Sequence, residues 1–101
     1  MNELTPFMNG PFRIGTKQMD HTLYLVNDNA VSGNEVFGAL LLYFVAYMQP
    51  NDVIQIMKRA ERNGETPFMI STEKECNRAL DFFKTLKIPV RMKKNDPKIN
   101  L

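Results

Sequence analysis

Short runs of β-forming residues alternate with longer segments of helical periodicity, and this alternation constrains the fold more than any other feature. β-branched and aromatic residues bounded by turn formers are typical of strands, whereas apolar residues recurring every three to four positions are typical of helices. Strands are predicted over residues 22–26, 68–70 and 88–92. Helices are predicted over residues 34–48, over 50–63, and from Thr72 to the region of Leu86. The order β-α-α-β-α-β predicts an α+β fold, a two-layer sandwich with a three-stranded sheet and three helices on one face.

Capping residues mark where the predicted helices begin and end. Ser32 with Glu35, and Thr72 with Glu75, have the three-residue spacing of a capping box, which satisfies free backbone N–H groups at a helix start. The second helix is expected to stop at Gly64, because glycine readily adopts the left-handed conformation that follows a helix. Both connections between successive strands run through helices, and we expect both to be crossovers.

One stretch, residues 37–48, carries no charge and could be mistaken for a membrane segment. A helix that crosses a bilayer needs roughly 20 apolar residues, and this stretch is much shorter. We therefore interpret it as a buried core helix that ends before Pro50, and the alternative is a helix that is also partly exposed for a partner. We expect no membrane association.

The chain length of 101 residues suits one domain. Residues 1–20 are predicted to form a flexible N-terminal arm, because Gly10, Pro11 and Gly15 interrupt any periodicity. The folded domain is expected over residues 21–94, and residues 95–101 are expected to be a polar C-terminal tail.

Composition argues against several classes of function. A net charge of +2 is too small for a nucleic-acid-binding surface. The single cysteine, Cys76, and the absence of a signal peptide favour a cytoplasmic protein. Cys76 and His21 are too few for a zinc site, and Cys76 lies on an apolar helical stripe where thiols are inert. We expect no catalytic residues, no metal and no cofactor, and hence a protein-binding protein that is not an enzyme.

The sequence resembles the ClpS-like adaptor family. The resemblance spans roughly residues 21–92 and is carried by residues 23–28 (LYLVND), by a helix that opens near Phe37, by Ile56-Met57 and by Asn63-Gly64. Family members deliver substrates with destabilising N-terminal residues, or N-degrons, to a bacterial AAA+ protease. Their fold is shared with the C-terminal domain of the bacterial ribosomal stalk protein. The chain is therefore expected to be a divergent member that takes part in protease regulation.

The resemblance implies a peptide-binding site at seven positions. These are Asn27, Asp28, Asn29, Met57, Ala60, Glu61 and Val90. Asn27 and Asp28 match the pair that holds the peptide's α-amino group, and Asn29 stands where the family has a second aspartate. Met57 matches a pocket-lining methionine. Glu61 stands at the family's histidine position, while Ala60 and Val90 replace bulkier residues.

Two interpretations of these residues remain open. A primary ammonium is well satisfied by carboxylate and amide oxygens, which Asp28, Glu61 and Asn27 supply. Alternatively, Asn27 and Asp28 are turn formers and Glu61 is a solvated residue at a helix end.

Two functions follow from these interpretations. The first is a ClpS-like adaptor whose partners are a protein or peptide with a free N-terminus and a AAA+ ATPase, although the docking lysine of the family is displaced to Lys74, beside Glu75. The second is a ClpS-like interaction or regulatory module without a working N-degron pocket. This module would dimerise through helix one if Tyr43 and Phe44 are exposed there, because they would then form an apolar patch of the kind that marks an interface. A pocket between the Asn27-Asp28 turn and Met57-Glu61 would favour the first.

Overall fold

The computed structural model describes residues 12–13 and 19–95, with the backbone alone described for the first pair. The elements, in chain order, are β1 (Phe12–Arg13), β2 (His21–Val26), α1 (Gly33–Tyr43), α2 (Pro50–Asn63), β3 (Glu65–Ser71), α3 (Glu73–Thr85) and β4 (Val90–Lys94). From β2 to β4 the order is the predicted β-α-α-β-α-β, so the α+β fold is confirmed. No helix within residues 19–95 is long and apolar enough to cross a membrane.

The central strand of the sheet is β2, which pairs antiparallel with β3 on one side and with β4 on the other. β3 and β4 therefore run in the same direction, and the connection through α3 crosses over β2. The connection through α1 and α2 joins antiparallel neighbours, so the expectation that it is a crossover was wrong. β1 extends the sheet by pairing in parallel with β3.

Little of the predicted arm and tail falls within the described residues. Phe12–Arg13 is a two-residue strand inside the segment for which we expect an arm, and residues 19–20 lead into β2. Asn95 is the one described residue of the predicted tail, and its backbone N–H donates to the Asp20 carbonyl at 2.7 Å. The remaining residues of both segments lie outside the described part of the chain.

The core lies between the sheet and the helices. Leu23 and Leu25 of β2 face buried residues of all three helices. The buried helical residues are Ala39, Leu40, Val53, Ile56, Ala60, Cys76, Ala79 and Phe83. Of the residues that the strand and helix periods predict for the core, Leu25 and Phe83 are buried. Leu41, Met57, Leu80 and Val90 are half-buried and pack against the core.

Five rings at the end of α1 form an aromatic cluster. Its members are Tyr43, Phe44, Phe68, Phe82 and Phe83. Phe44 meets Phe68 edge to face with centroids 6.1 Å apart, and Tyr43 lies 4.9 Å from Phe82. Such pairs contribute about 0.5–1.5 kcal/mol each beyond the area they bury. The predicted exposed patch of Tyr43 and Phe44 is therefore wrong, because Phe44 is fully buried and Tyr43 is half-buried.

The helix ends show where capping and helix-stopping residues predicted the bounds correctly. α2 runs from Pro50 to Asn63 as predicted, with Gly64 in the left-handed region at φ 87°. The hydroxyl oxygens of Ser32 and Thr72 cap α1 and α3 as predicted. α1, however, ends at Tyr43 and does not continue to residue 48. The N–H groups of Tyr47 and Met48 both donate to the Phe44 carbonyl, at 2.8 and 2.9 Å, so the chain turns there.

A β-bulge interrupts β3 at Phe68. Pro67 pairs with Tyr24 and Met69 pairs with Leu23, so Phe68 has no opposing residue on β2. Phe68 and Met69 are consecutive, yet both are buried. An extra residue in one strand shifts the alternation of faces by one position, which explains two buried neighbours in succession.

Candidate functional site

The turn that follows β2 is held against the end of α2 and the start of β4. The Asn27 backbone N–H donates to the Gly64 carbonyl at 2.9 Å, and the Val26 N–H donates to the Pro89 carbonyl at the same distance. Since Gly64 ends α2, these bonds bring the last turn of that helix beside residues 27–29. Backbone hydrogen bonds therefore hold the turn beside the helix end.

A concave pocket of about 600 Å³ opens between this turn, the start of α1 and the outer side of α2. Its polar lining residues are Asn27, Asp28, Asn29, Asn34, Lys58 and Glu61. Its apolar lining residues are Leu25, Val26, Val31, Val36, Phe37, Ile54, Met57, Ala60 and Pro89, together with Gly33. Volumes of this size are typical of ligand-binding clefts, which combine apolar walls with a few convergent polar groups.

Six of the seven predicted site residues line this one pocket. They are Asn27, Asp28, Asn29, Met57, Ala60 and Glu61. The seventh, Val90, is half-buried against the core and does not line it, whereas its neighbour Pro89 does. The pocket thus brings together the turn residues 27–29 and the α2 residues 57–61, which are at least 28 positions apart in the sequence, as required by the amine-binding interpretation.

The polar end of the pocket is anionic and open to solvent. Asn27, Asp28 and Glu61 are all exposed. The Ala30 N–H donates to Asp28 Oδ1 at 2.9 Å, an Asx turn that fixes the carboxylate. An ionised carboxylate offers about four acceptor positions, so this bond leaves Asp28 able to accept from a ligand. The carboxyl end of α2 adds a partial negative charge, which also favours a cation.

The apolar end of the pocket lies between α1 and α2. Met57 is half-buried, and a Cβ on Gly33 would lie 3.7 Å from Met57 Cε, so the thioether reaches the first residue of α1. Ala60 is 2% exposed and forms part of the floor. Its small side chain leaves room that a larger residue would fill. An unbranched methionine can adjust to differently shaped ligands, so the pocket is not restricted to a single shape of side chain.

Several lining residues could not be identified from the sequence. Val36, Phe37 and Ile54 are apolar residues within predicted helices, where such residues are normally interpreted as core, and Val31 lies in the loop before the first helix. Lys58 is a charged residue of the predicted second helix, and such residues normally lie on the solvent-exposed side. The one signal that could have found Ile54 and Lys58 is their position on the same face of the helix as Glu61.

The opposite end of β2 contains the cysteine and the histidine. The Cys76 thiol is fully buried and donates to the backbone carbonyl of His21 at 3.6 Å. Burial raises the pKa of Cys76 to about 11, so the reactive thiolate is suppressed. His21 Nδ1 instead contacts Asp20 Oδ1 at 2.9 Å, and this hydrogen bond lowers the pKa of Asp20. The Cys76 thiol thus bonds to the backbone of His21, while the His21 ring bonds to Asp20.

Within residues 19–95, no three His, Cys, Asp or Glu side chains are grouped to hold a metal ion. No protein-family model matches the sequence, and no curated protein is significantly similar to it. The likeness to ClpS-like adaptors therefore rests on the sequence motifs quoted above, and the function must be argued from the pocket itself.

Proposed function

We propose that this chain is a ClpS-like adaptor that binds the N-terminal residue of a peptide in the pocket. The observation that carries the proposal is the meeting of Asn27 and Asp28, from the turn after β2, with Glu61 and Met57 of α2 around one cavity. An N-terminal residue presents an ammonium directly beside a side chain. A pocket with an anionic end and an adjoining apolar end matches that pair of groups.

Each of five lining residues has a specific role in the proposed complex. Asp28 and Glu61 accept hydrogen bonds from the ammonium, and Asn27 orients it through its amide oxygen. Met57, together with Ala60, receives a bulky apolar first side chain. Hydrogen bonds to charged groups contribute about 1.5–3 kcal/mol each, so these acceptors supply most of the selectivity for a free N-terminus.

The delivery of bound peptides to a AAA+ ATPase is supported by the resemblance alone. The family's docking lysine is displaced to Lys74, which is exposed in the first turn of α3, whereas the adjacent Glu75 bonds to Arg78 at 3.3 Å. A reconstituted AAA+ protease should degrade a model N-degron substrate faster when this chain is added. Addition of Lys74→Glu protein should not accelerate degradation if this lysine is in the docking surface.

Fluorescence anisotropy with labelled peptides tests the binding proposal. A peptide with a free N-terminus and leucine or phenylalanine as its first residue should bind, and its N-acetylated form should not. Asp28→Ala should weaken binding of the free peptide about ten- to a hundredfold. Glu61→Gln retains the shape and should weaken binding by a smaller factor.

The matched control is Asp81→Ala, which removes an exposed carboxylate that does not line the pocket. It makes the same change in net charge and should leave the affinity unchanged. Equal affinity for the free and acetylated peptides would rule out the amine site. Equal weakening by Asp28→Ala and Asp81→Ala would show that only the overall charge matters.

A second candidate function, self-association through the end of α1, is favoured by a separate observation. Leu42 is 63% exposed and Val45 is 72% exposed, although Phe44 between them is buried. Large exposed apolar side chains that lie close together are typical of contact surfaces. Sedimentation equilibrium should then detect a dimer in the wild type and a monomer in Leu42→Glu. A monomeric wild type would eliminate this candidate without affecting the first.

A further inference from the structure

Three residues on one face of α2 line the pocket in a row. Ile54, Lys58 and Glu61 are separated by four and then three positions, the spacing that places side chains above one another on a helix. With a rise of 1.5 Å per residue, Lys58 lies about 4.5 Å and Ile54 about 10.5 Å from Glu61 along the helix axis. An extended peptide advances about 3.3 Å per residue, so this row can accompany about three peptide residues.

The size of the pocket also exceeds what one side chain requires. A volume of about 600 Å³ falls within the range that encloses whole drug-sized ligands. Ile54 is 38% exposed at the end of the row, and Phe37 of α1 is half-buried across from α2. The pocket walls thus extend past the end that binds the ammonium. The second and third residues of a bound peptide would lie along this extension.

Lys58 introduces a positive charge into this continuation. It is exposed, and no described residue forms an ion pair with it. Glu61 lies only three residues further along the helix but does not pair with it. A lysine ammonium carries three donors and no acceptor, so a carboxylate is its natural partner. The charges that line the pocket are therefore two carboxylates, Asp28 and Glu61, at one end and a lysine next to them.

We infer that Lys58 selects an acidic side chain at the second residue of the bound peptide. This inference rests on the proposed function, because it takes the ammonium at Asp28 and Glu61 as the origin of the register. With the ammonium there, the second residue lies one step along α2, opposite Lys58. The preferred ligand is then a peptide with a free N-terminus, a bulky apolar first residue and aspartate or glutamate next.

The test uses three free peptides that differ only at the second residue, which is Glu, Gln or Lys. The full chain should bind the Glu peptide about three- to tenfold more tightly than the Lys peptide, with the Gln peptide between them, as expected for a solvent-exposed charge pair. Lys58→Glu should reverse the order of the Glu and Lys peptides. Raising the salt concentration to about 0.5 M should reduce the differences, because screening weakens exposed charge pairs.

Lys84→Glu is the matched control, since it makes the same charge reversal on an exposed lysine outside the pocket. It should keep the wild-type order of peptides. An unchanged order in Lys58→Glu, with acetylation still abolishing binding, would overturn the role of Lys58 and leave the amine site standing. The same reversal in both lysine variants would also overturn it, since the preference would then follow from net charge. Binding that is insensitive to acetylation would overturn the amine site itself and this inference with it.

Discussion

The two ends of α1 belong to very different surroundings. Its last residues enter the aromatic cluster, where Phe44 is fully buried against Phe68. Four of its first five residues, Gly33, Asn34, Val36 and Phe37, line a pocket whose polar side chains are open to solvent. A single helix thus connects a tightly packed aromatic region to a solvent-exposed pocket. Changes at the cluster should affect folding, and changes at the pocket should affect binding with little effect on folding.

Phe44→Ala provides the most severe test of this comparison. Removing a fully buried ring typically costs about 3–5 kcal/mol of the free energy of unfolding, because a cavity remains. Phe37→Ala, at the half-buried pocket end of the same helix, should cost less than half as much. Urea unfolding measured by circular dichroism gives both values. Equal losses would show that the pocket wall is part of the core.

Labelling of Cys76 tests how often the fold opens locally at a buried position outside the pocket. The thiol is 0% exposed, and burial raises its pKa. It can react only after local opening, and an opening free energy of about 3 kcal/mol exposes it less than about 1% of the time. Labelling by a thiol reagent should therefore be at least about a hundredfold slower than in denaturant. Comparable rates would mean that α3 separates readily from β2.

Substitutions at two glycines compare the end of α2, beside the pocket, with the middle of α1. Gly64 has φ 87°, so Gly64→Ala should cost about 1 kcal/mol although a Cβ there would touch nothing. Gly38 lies inside α1 with open space around it, so Gly38→Ala should stabilise by about 0.5–1 kcal/mol. Thermal unfolding of both variants gives the two signs. Destabilisation by Gly38→Ala would reveal a contact at that face of α1.

The smallest expected effect concerns the ion pair between Glu65 and Arg91, which spans β2 near the pocket. Both guanidinium bonds are short, at 2.8 and 2.6 Å, and they lower the pKa of Glu65. A carboxyl group with a lowered pKa stabilises the fold above its unfolded pKa of about 4.3, and this contribution disappears as the pH falls through the folded value. Between about pH 5 and 3, the wild type should lose slightly more stability than Glu65→Gln. Parallel pH profiles for the two proteins would show that the pair contributes nothing.

The sequence predicted the fold best where residues with strong conformational preferences mark the helix ends. α2 has a proline in its first turn and a glycine after its last residue, and both bounds were correct. α1 lacks such a stop signal within its uncharged stretch, and its end was placed five residues too late. At this turn Phe44 packs against Phe68 in the aromatic cluster, and a tertiary contact of this kind is not recorded in the local sequence.

The candidate site was predictable to the extent that its polar residues carry a motif. Asn27, Asp28 and Glu61 were proposed together, and the pocket contains all three. Phe37 and Ile54 could not be distinguished from core residues. Apolar residues recur with the same helical period whether that face of the helix packs on the core or lines a cavity. Val90 was assigned by resemblance, and a displacement of one residue makes Pro89 the lining residue.

The bulge at Phe68 determines which single-residue deletion β3 can tolerate. Deleting one residue from a regular strand turns every later side chain to the opposite face of the sheet. Phe68, however, stands between two pairs that are already in register with β2, those of Pro67 and Met69. Deleting Phe68 would make the pairs of Pro67 and Met69 consecutive in the strand ladder, but it would remove a buried ring from the core. An in-frame deletion there is therefore the one in β3 for which the strand can survive with its faces intact.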